Sequence, residues 1–180
     1  MSKSTVKTDN SFLADKVGLR VDHLPAKGDI TVLDCFAGTG RIWKGVKTRT
    51  RREIKILAMD KRPIGFHQPG DNIGWLMGMD LSRFNVIDLD AYGVPYDQLK
   101  ILFERGYKGI VFVTFIQSLW GRMPNQLLID IGFTEAMIAK APSLCNGRGW
   151  DHLCEWLALQ GVKKVYKRSH ARKHYFTFTM

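Results

Sequence analysis

Hydrophobic and polar positions follow two different periods along the chain, and each change of period marks a new element. Over residues 10–21, Phe12, Leu13, Val17 and Val21 recur at helical spacing behind Ser11, which predicts a short helix ending before Pro25. Ile30-Thr31-Val32-Leu33-Asp34-Cys35-Phe36 is a compact, β-branched run that stops at Ala37-Gly38-Thr39-Gly40, the pattern of a strand entering a glycine turn. A short helix is expected over 41–47 and a second buried strand over 55–60. Residues 75–79 read as a third, weaker strand and 84–89 as a fourth. Farther on, 97–105 reads as helix, 109–115 as strand, 126–140 as one long helix and 150–160 as the last helix. Two short strands, 162–167 and 174–178, joined by a basic turn over 168–173, complete the pattern.

Strands alternating with helices and finishing in a hairpin predict an α/β fold. The expected form is a doubly wound, mostly parallel seven-stranded sheet with helices on both faces and a C-terminal antiparallel hairpin. The 180 residues, 45% hydrophobic and 24% charged, fit a single domain, with 1–28 as N-terminal arm and helix. A chain of this size buries roughly 70% of its unfolded surface, so it needs no disulfide framework. Its cysteines, Cys35, Cys145 and Cys154, are odd in number and form no C-x-x-C pair, which predicts buried thiols in a reducing, cytoplasmic compartment. The longest apolar run, 110–116, is too short to cross a bilayer, and no membrane partner is expected.

Charge changes the picture. The formal net charge is +10, and two segments carry all of the positive excess: 41–62, with nine basic and two acidic residues, and 161–180, with six basic and none acidic. Such a balance suggests a polyanionic partner, most often nucleic acid.

Gly38-Thr39-Gly40 between strand and helix, followed by a second strand ending at Asp60, is the layout of a nucleotide-binding crevice, although Trp43 stands where a third glycine would fall. The full string Val32-Leu33-Asp34-Cys35-Phe36-Ala37-Gly38-Thr39-Gly40 resembles motif I of the class I S-adenosylmethionine-dependent methyltransferases. The resemblance implies that S-adenosylmethionine is the cofactor and that Asp34, Phe36, Ala37, Gly38 and Gly40 surround its methionine moiety. It also implies that Asp60 holds the ribose, and Asp80, followed by Leu81, looks like the residue that contacts the adenine amine.

A second string, Asp88-Leu89-Asp90-Ala91-Tyr92-Gly93-Val94-Pro95, follows an apolar strand. It resembles the Asp-Pro-Phe-Gly signature of the tRNA guanine-N2 dimethyltransferases, with Ala91 in place of the proline. By that resemblance the catalytic residues are Asp90, Ala91 and Tyr92. The Asp90 carboxylate and the Ala91 carbonyl would accept the hydrogens of an aryl amine whose lone pair is delocalised into its ring, while Tyr92 stacks on the base. Asp88 is read as structural or as a helper. The expected function is S-adenosylmethionine-dependent N-methylation of an exocyclic base amine in nucleic acid, with RNA favoured over DNA. The alternatives are a DNA adenine or cytosine N-methyltransferase, a catalytically silent, methyltransferase-like nucleic-acid-binding subunit, and a methyltransferase acting on a small molecule or a protein, because charge alone does not identify a substrate. Self-association or a partner subunit fits the short chain.

Topology separates the basic clusters. Lys47, Arg49, Arg51 and Arg52 fall on a loop at the amino ends of the strands, away from the glycine loop. Arg168, Arg172 and Lys173 belong to a turn on the same edge as Gly38 and Asp90, and with Arg122 they are the expected phosphate contacts. Trp120 is a candidate stacking surface or a buried indole. His152, His170, His174 and the cysteines lack metal-ligand spacing, so no metal is expected.

Overall fold

The alternation along each strand decides which face of the sheet a residue reaches. In a computed structural model, which describes residues 11–61, 68–117 and 122–180, seven strands form one sheet. They are β1 (Ile30–Asp34), β2 (Ile54–Asp60), β3 (Gln68–Pro69), β4 (Val86–Leu89), β5 (Ile110–Ile116), β6 (Tyr166–His170) and β7 (Lys173–Thr179), ordered β3-β2-β1-β4-β5-β7-β6. Strands β1 to β5 pair in parallel, and β7 is antiparallel to both β5 and β6. The doubly wound, mostly parallel sheet with its terminal hairpin is the architecture expected from the sequence.

Helices α1 (Leu13–His23) and α2 (Arg41–Thr50) cover one face, packing on Ile30, Val32, Val86, Phe112 and Tyr175. The intervening residues Leu33, Ile87, Val111, Val113 and Phe176 point the other way. There they meet α3 (Asn72–Gly78), α4 (Tyr96–Glu104), α5 (Asn125–Asp130) and α8 (Gly149–Leu159). Helices α6 (Glu135–Lys140) and α7 (Pro142–Gly147) lead from α5 to α8.

Three expectations are corrected. Residues 75–79 are not a strand: Trp75 to Gly78 belong to α3, whose Leu76 is buried against the core, and the third strand is Gln68–Pro69. The helix expected over 126–140 is broken, because Gly132 takes φ 102°, a conformation that ends a helix readily only at glycine. Thr134 then caps α6 by accepting from the Met137 N–H at 3.2 Å. The terminal hairpin is tighter than expected: His170 pairs with Lys173, so the turn is Ala171-Arg172 and Arg168 lies inside β6. All three cysteines are free thiols; Cys35 and Cys145 are buried and Cys154 is half-buried. Among the described residues no helix is long and apolar enough to cross a membrane.

Candidate functional site

The site begins where β1 ends. Gly38 at φ 52° and Gly40 at φ 68° turn the chain sharply into α2, and the Gly40 N–H closes the turn on the Ala37 carbonyl at 2.8 Å. Asp60, at the end of the neighbouring strand, accepts from the Gly38 N–H at 2.9 Å, and the Ala37 N–H donates to the Met59 carbonyl at 3.0 Å. The acidic strand end therefore holds the glycine loop itself. Trp43 fills the gap between α2 and the sheet, buried and edge-on to Phe112, which accounts for an indole where a dinucleotide fold would carry its third glycine.

Next to the loop is a cluster of carboxylates. Asp34 and Asp88 are register partners across β1 and β4, and they share the α1 face with Val32 and Val86. Both are buried. Helix α1 supplies the counter-charges: Arg20 donates from Nε and Nη2 to the two Asp88 oxygens at 2.7 and 2.5 Å, and its Nη1 donates to the Lys16 carbonyl at 3.0 Å. Lys16 Nζ lies 2.8 Å from Oδ1 and 2.9 Å from Oδ2 of Asp90, and the Thr114 hydroxyl also donates to Asp90 Oδ1. Burial raises the Asp34 carboxyl well above its usual value, and the Asp88 charge adds to this while Arg20 offsets part of it. Burial raises Asp88 as well, against the pull of Arg20. Fully ionised, the cluster would set three carboxylates against two cations, an excess that the upward shift of Asp34 relieves.

Ala91 is buried and Tyr92 is 80% exposed, projecting from the loop after β4. The Ile116 N–H donates to the Gly93 carbonyl at 2.9 Å, tying that loop to the end of β5. Asp80 is exposed and caps the short 3-10 turn Leu81–Arg83, accepting from Ser82 N–H at 3.0 Å and Ser82 Oγ at 2.7 Å, bonds that lower its pKa. Arg168 is held by Asp15 at 3.1 Å and Asp22 at 2.6 Å, both on α1, and Lys173 donates to Ser11 Oγ at 2.9 Å. Arg122 and Arg172 are exposed. Arg52 is not part of a purely solvated patch: it donates to the Pro25 and Gly28 carbonyls. Trp120 lies outside the described residues.

Asp71 and Asn72 are among the site residues that escaped the sequence reading, as are Lys16, Arg20 and Thr114. Asp60 pairs with Pro69 across β2 and β3, so Asp71 and Asn72 follow at the same edge as the glycine loop. Asn72 is buried, donates to the Cys35 carbonyl at 3.2 Å and accepts from Gln98 at 2.9 Å, while Asp71 pairs at 3.6 Å with Lys61 at the end of β2. A strand of two residues, one of them proline, gives no period to find.

Solved structures share this architecture. A precorrin-6y C5,15-methyltransferase from Geobacter metallireducens GS-15 matches 100% of this chain and 93% of its own length with a TM-score of 0.53 at 12% identity. The mitomycin 7-O-methyltransferase MmcR matches with a TM-score of 0.53 at 13% identity, over 93% of this chain and 54% of that one. The CurJ carbon methyltransferase gives 0.51 at 13% identity, over 88% of this chain and 50% of that one. The chain spans about half the length of these last two. No protein-family model matches the sequence, and no curated protein does. The fold is therefore the Rossmann-like fold of the S-adenosylmethionine-dependent methyltransferases.

Proposed function

We propose that the protein is an S-adenosylmethionine-dependent methyltransferase acting on an exocyclic base amine of nucleic acid, with RNA as the preferred substrate. One observation carries this reading: the glycine loop, Asp60 and the Asp90–Gly93 loop converge on the carboxyl edge of a methyltransferase-type sheet, where open α/β folds bind their ligands. The donor set suits the cofactor. Asp34, Asp88 and Asp90 outnumber Lys16 and Arg20, so a cationic sulfonium and ammonium would supply the counter-charge that lets Asp34 ionise. Phe36, Ala37, Gly38 and Gly40 would hold the methionine end and Asp60 the ribose. Asp71, two residues beyond the Pro69 that pairs with Asp60 and only loosely paired with exposed Lys61, suits the adenine amine better than Asp80, whose carboxylate is engaged in its own cap.

When bound, S-adenosylmethionine supplies an electrophilic methyl group. The protein has to hold the amine in line with it, and positioning of this kind reaches effective molarities on the order of 10⁵–10⁸ M. Lys16 and Thr114 fix the Asp90 carboxylate, which accepts an amine hydrogen together with the Ala91 carbonyl; the proton released on transfer leaves through this acceptor or to water. Tyr92, exposed on the same loop, offers a stacking face, and Arg122 and Arg172 offer cations to the backbone phosphates.

The three methyltransferases named above are described as acting on precorrin-6y, on the mitomycin 7-oxygen and on carbon, so the substrate here is argued from this chain's charge and motifs. A second reading, a methyltransferase-like subunit without turnover, has one observation in its favour: Asp90 already accepts from both Lys16 and Thr114. Incubation with labelled methyl donor and tRNA, ribosomal RNA or DNA, followed by nucleoside analysis, decides between them. Transfer to an RNA base amine, abolished in Asp90→Ala with donor affinity kept within a few fold, is the expected result. Donor binding without transfer to any acceptor would favour the silent subunit.

A further inference from the structure

The hairpin turn is joined to the candidate site through the backbone. Gln117 N–H donates to the Arg172 carbonyl at 3.2 Å, and one residue earlier Ile116 N–H donates to Gly93. Beside this junction, between the end of β5, the start of α8 and the turn, lies a cleft of about 190 Å³ lined by Arg148 and Arg172. Gln117 and Asn146 form its polar wall. Its floor is aromatic: Trp150 stacks on His174 at 4.4 Å with a 24° interplanar angle and meets Phe115 edge-on at 5.9 Å. The floor is already packed, so it shapes the cleft and leaves recognition to the guanidinium groups.

Their charge is only partly engaged. Among the described residues Arg172 makes no side-chain hydrogen bond or ion pair, whereas Arg148 shares an exposed pair with Asp151 at 3.1 Å. Lys167 adds a further cation, its Nζ 4.9 Å from the Trp150 ring. Asp151 is the only acid lining the cleft among the described residues, so the surroundings stay positive. The volume falls below the roughly 300 Å³ at which pockets begin to enclose whole small ligands, which suits a group on a larger molecule. Two guanidinium groups match the oxygens of a tetrahedral anion, a geometry that arginine satisfies with paired N–H donors.

We propose that this cleft is the subsite for a phosphate group of the substrate, held by Arg148 and Arg172. The proposal deepens the nucleic-acid reading and rests on it for the identity of the substrate. It moves the phosphate contact away from Arg168, which Asp15 and Asp22 of α1 neutralise, to Arg148, which no motif singles out.

Calorimetric titration of the full chain with inorganic phosphate, a 5′-mononucleotide and a single-stranded RNA of about ten nucleotides tests it. Wild type is compared with Arg148→Gln, Arg172→Gln, the double variant and Arg49→Gln on α2. Both cleft arginines are exposed, and unchanged melting temperatures check that folding is intact. The expected result is a loss of about tenfold or more for each cleft variant, the cost of a charge-assisted contact, and none for Arg49→Gln. For the RNA, each lost contact should also lower the salt slope by about 0.7. Loss with all three probes assigns a site for any phosphate group, and loss with RNA alone assigns a phosphodiester site. Either supports the proposal. Equal affinity of the double variant and Arg49→Gln for every bound probe, or no binding of any probe by wild type, overturns it. Methyl transfer is read separately: phosphate binding without transfer would count against the enzyme and leave the subsite standing.

Discussion

At the scale of single residues, Asp34 is where the protein works against itself. Burial beside Asp88 raises its carboxyl well above the ordinary aspartate value. A carboxyl whose pKa is higher in the folded than in the unfolded state favours folding fully below the unfolded value, about 3.9, and loses that contribution as pH rises through the folded value. Asp34→Asn keeps an oxygen to accept from the Phe36 N–H, which Asp34 Oδ1 meets at 3.3 Å, and removes the charge. Its melting temperature should therefore exceed that of wild type by a margin that widens with rising pH. A margin constant from about pH 4 to pH 8 would show that Asp34 does not titrate as the burial demands. The same carboxylate bears on the cofactor. A bound sulfonium favours the ionised form, so donor binding should release a proton and tighten as pH rises, while the thioether product, which keeps the ammonium but not the sulfonium charge, should show both effects more weakly. Calorimetry in buffers of different ionisation enthalpy measures the proton count directly.

At the scale of elements, α1 contributes more than cover for one face of the sheet. Val17 nests against Gly45 of α2, where an added Cβ would stand 2.8 Å from Val17 Cγ2, so the two helices meet at a glycine. From that position Arg20 and Lys16, one turn apart, reach Asp88 and Asp90. Arg20→Met strands Asp88 beside Asp34 and Asp90, and breaking a buried pair in this way costs about 3–5 kcal/mol. Denaturant unfolding should show that loss, and adding Asp88→Leu should recover most of it. A cost below about 1 kcal/mol would mean that α1 is not anchored through this pair. Elements with a clean period were legible in the sequence: β1, β4 and β5 carry β-branched runs bounded by turns, and the glycine loop stood out by its residues. Helix α3 was not, because Trp75-Leu76-Met77-Gly78-Met79 is apolar without a period and too short to separate strand from helix. The break at Gly132 was hidden because a glycine is tolerated inside a helical pattern. The spacing of Lys16 and Arg20 shows only that they share a helix face; their acids lie 74 and 68 residues away, and only the sheet order brings them together.

At the scale of the whole molecule, the proposed function asks the protein to bind two ligands of opposite charge at one edge of the sheet. Its net charge of +10 attracts a polyanion and repels a cationic cofactor. At physiological salt, however, charges beyond roughly 8 Å are largely screened, so the cofactor responds mainly to the carboxylates beside it. Asp34 and Asp88 are buried and Asp90 is 14% exposed, which places this attraction where salt weakens it least. The arginines at the cleft and on α2 are exposed, where salt acts fully. The two ligands should therefore respond differently to the same change. Donor at about 100 times its dissociation constant should add roughly 2.7 kcal/mol, which for a domain of this size raises the melting temperature by about 5–11 °C. That shift should hold nearly constant between about 50 and 200 mM salt, while RNA affinity falls steeply, in proportion to the phosphates contacted. Asp60→Ala should reduce the donor shift by releasing the glycine loop and leave the RNA salt slope unchanged. A donor shift that decays with salt in parallel with RNA binding would place the cofactor among the exposed charges and away from the buried carboxylate cluster.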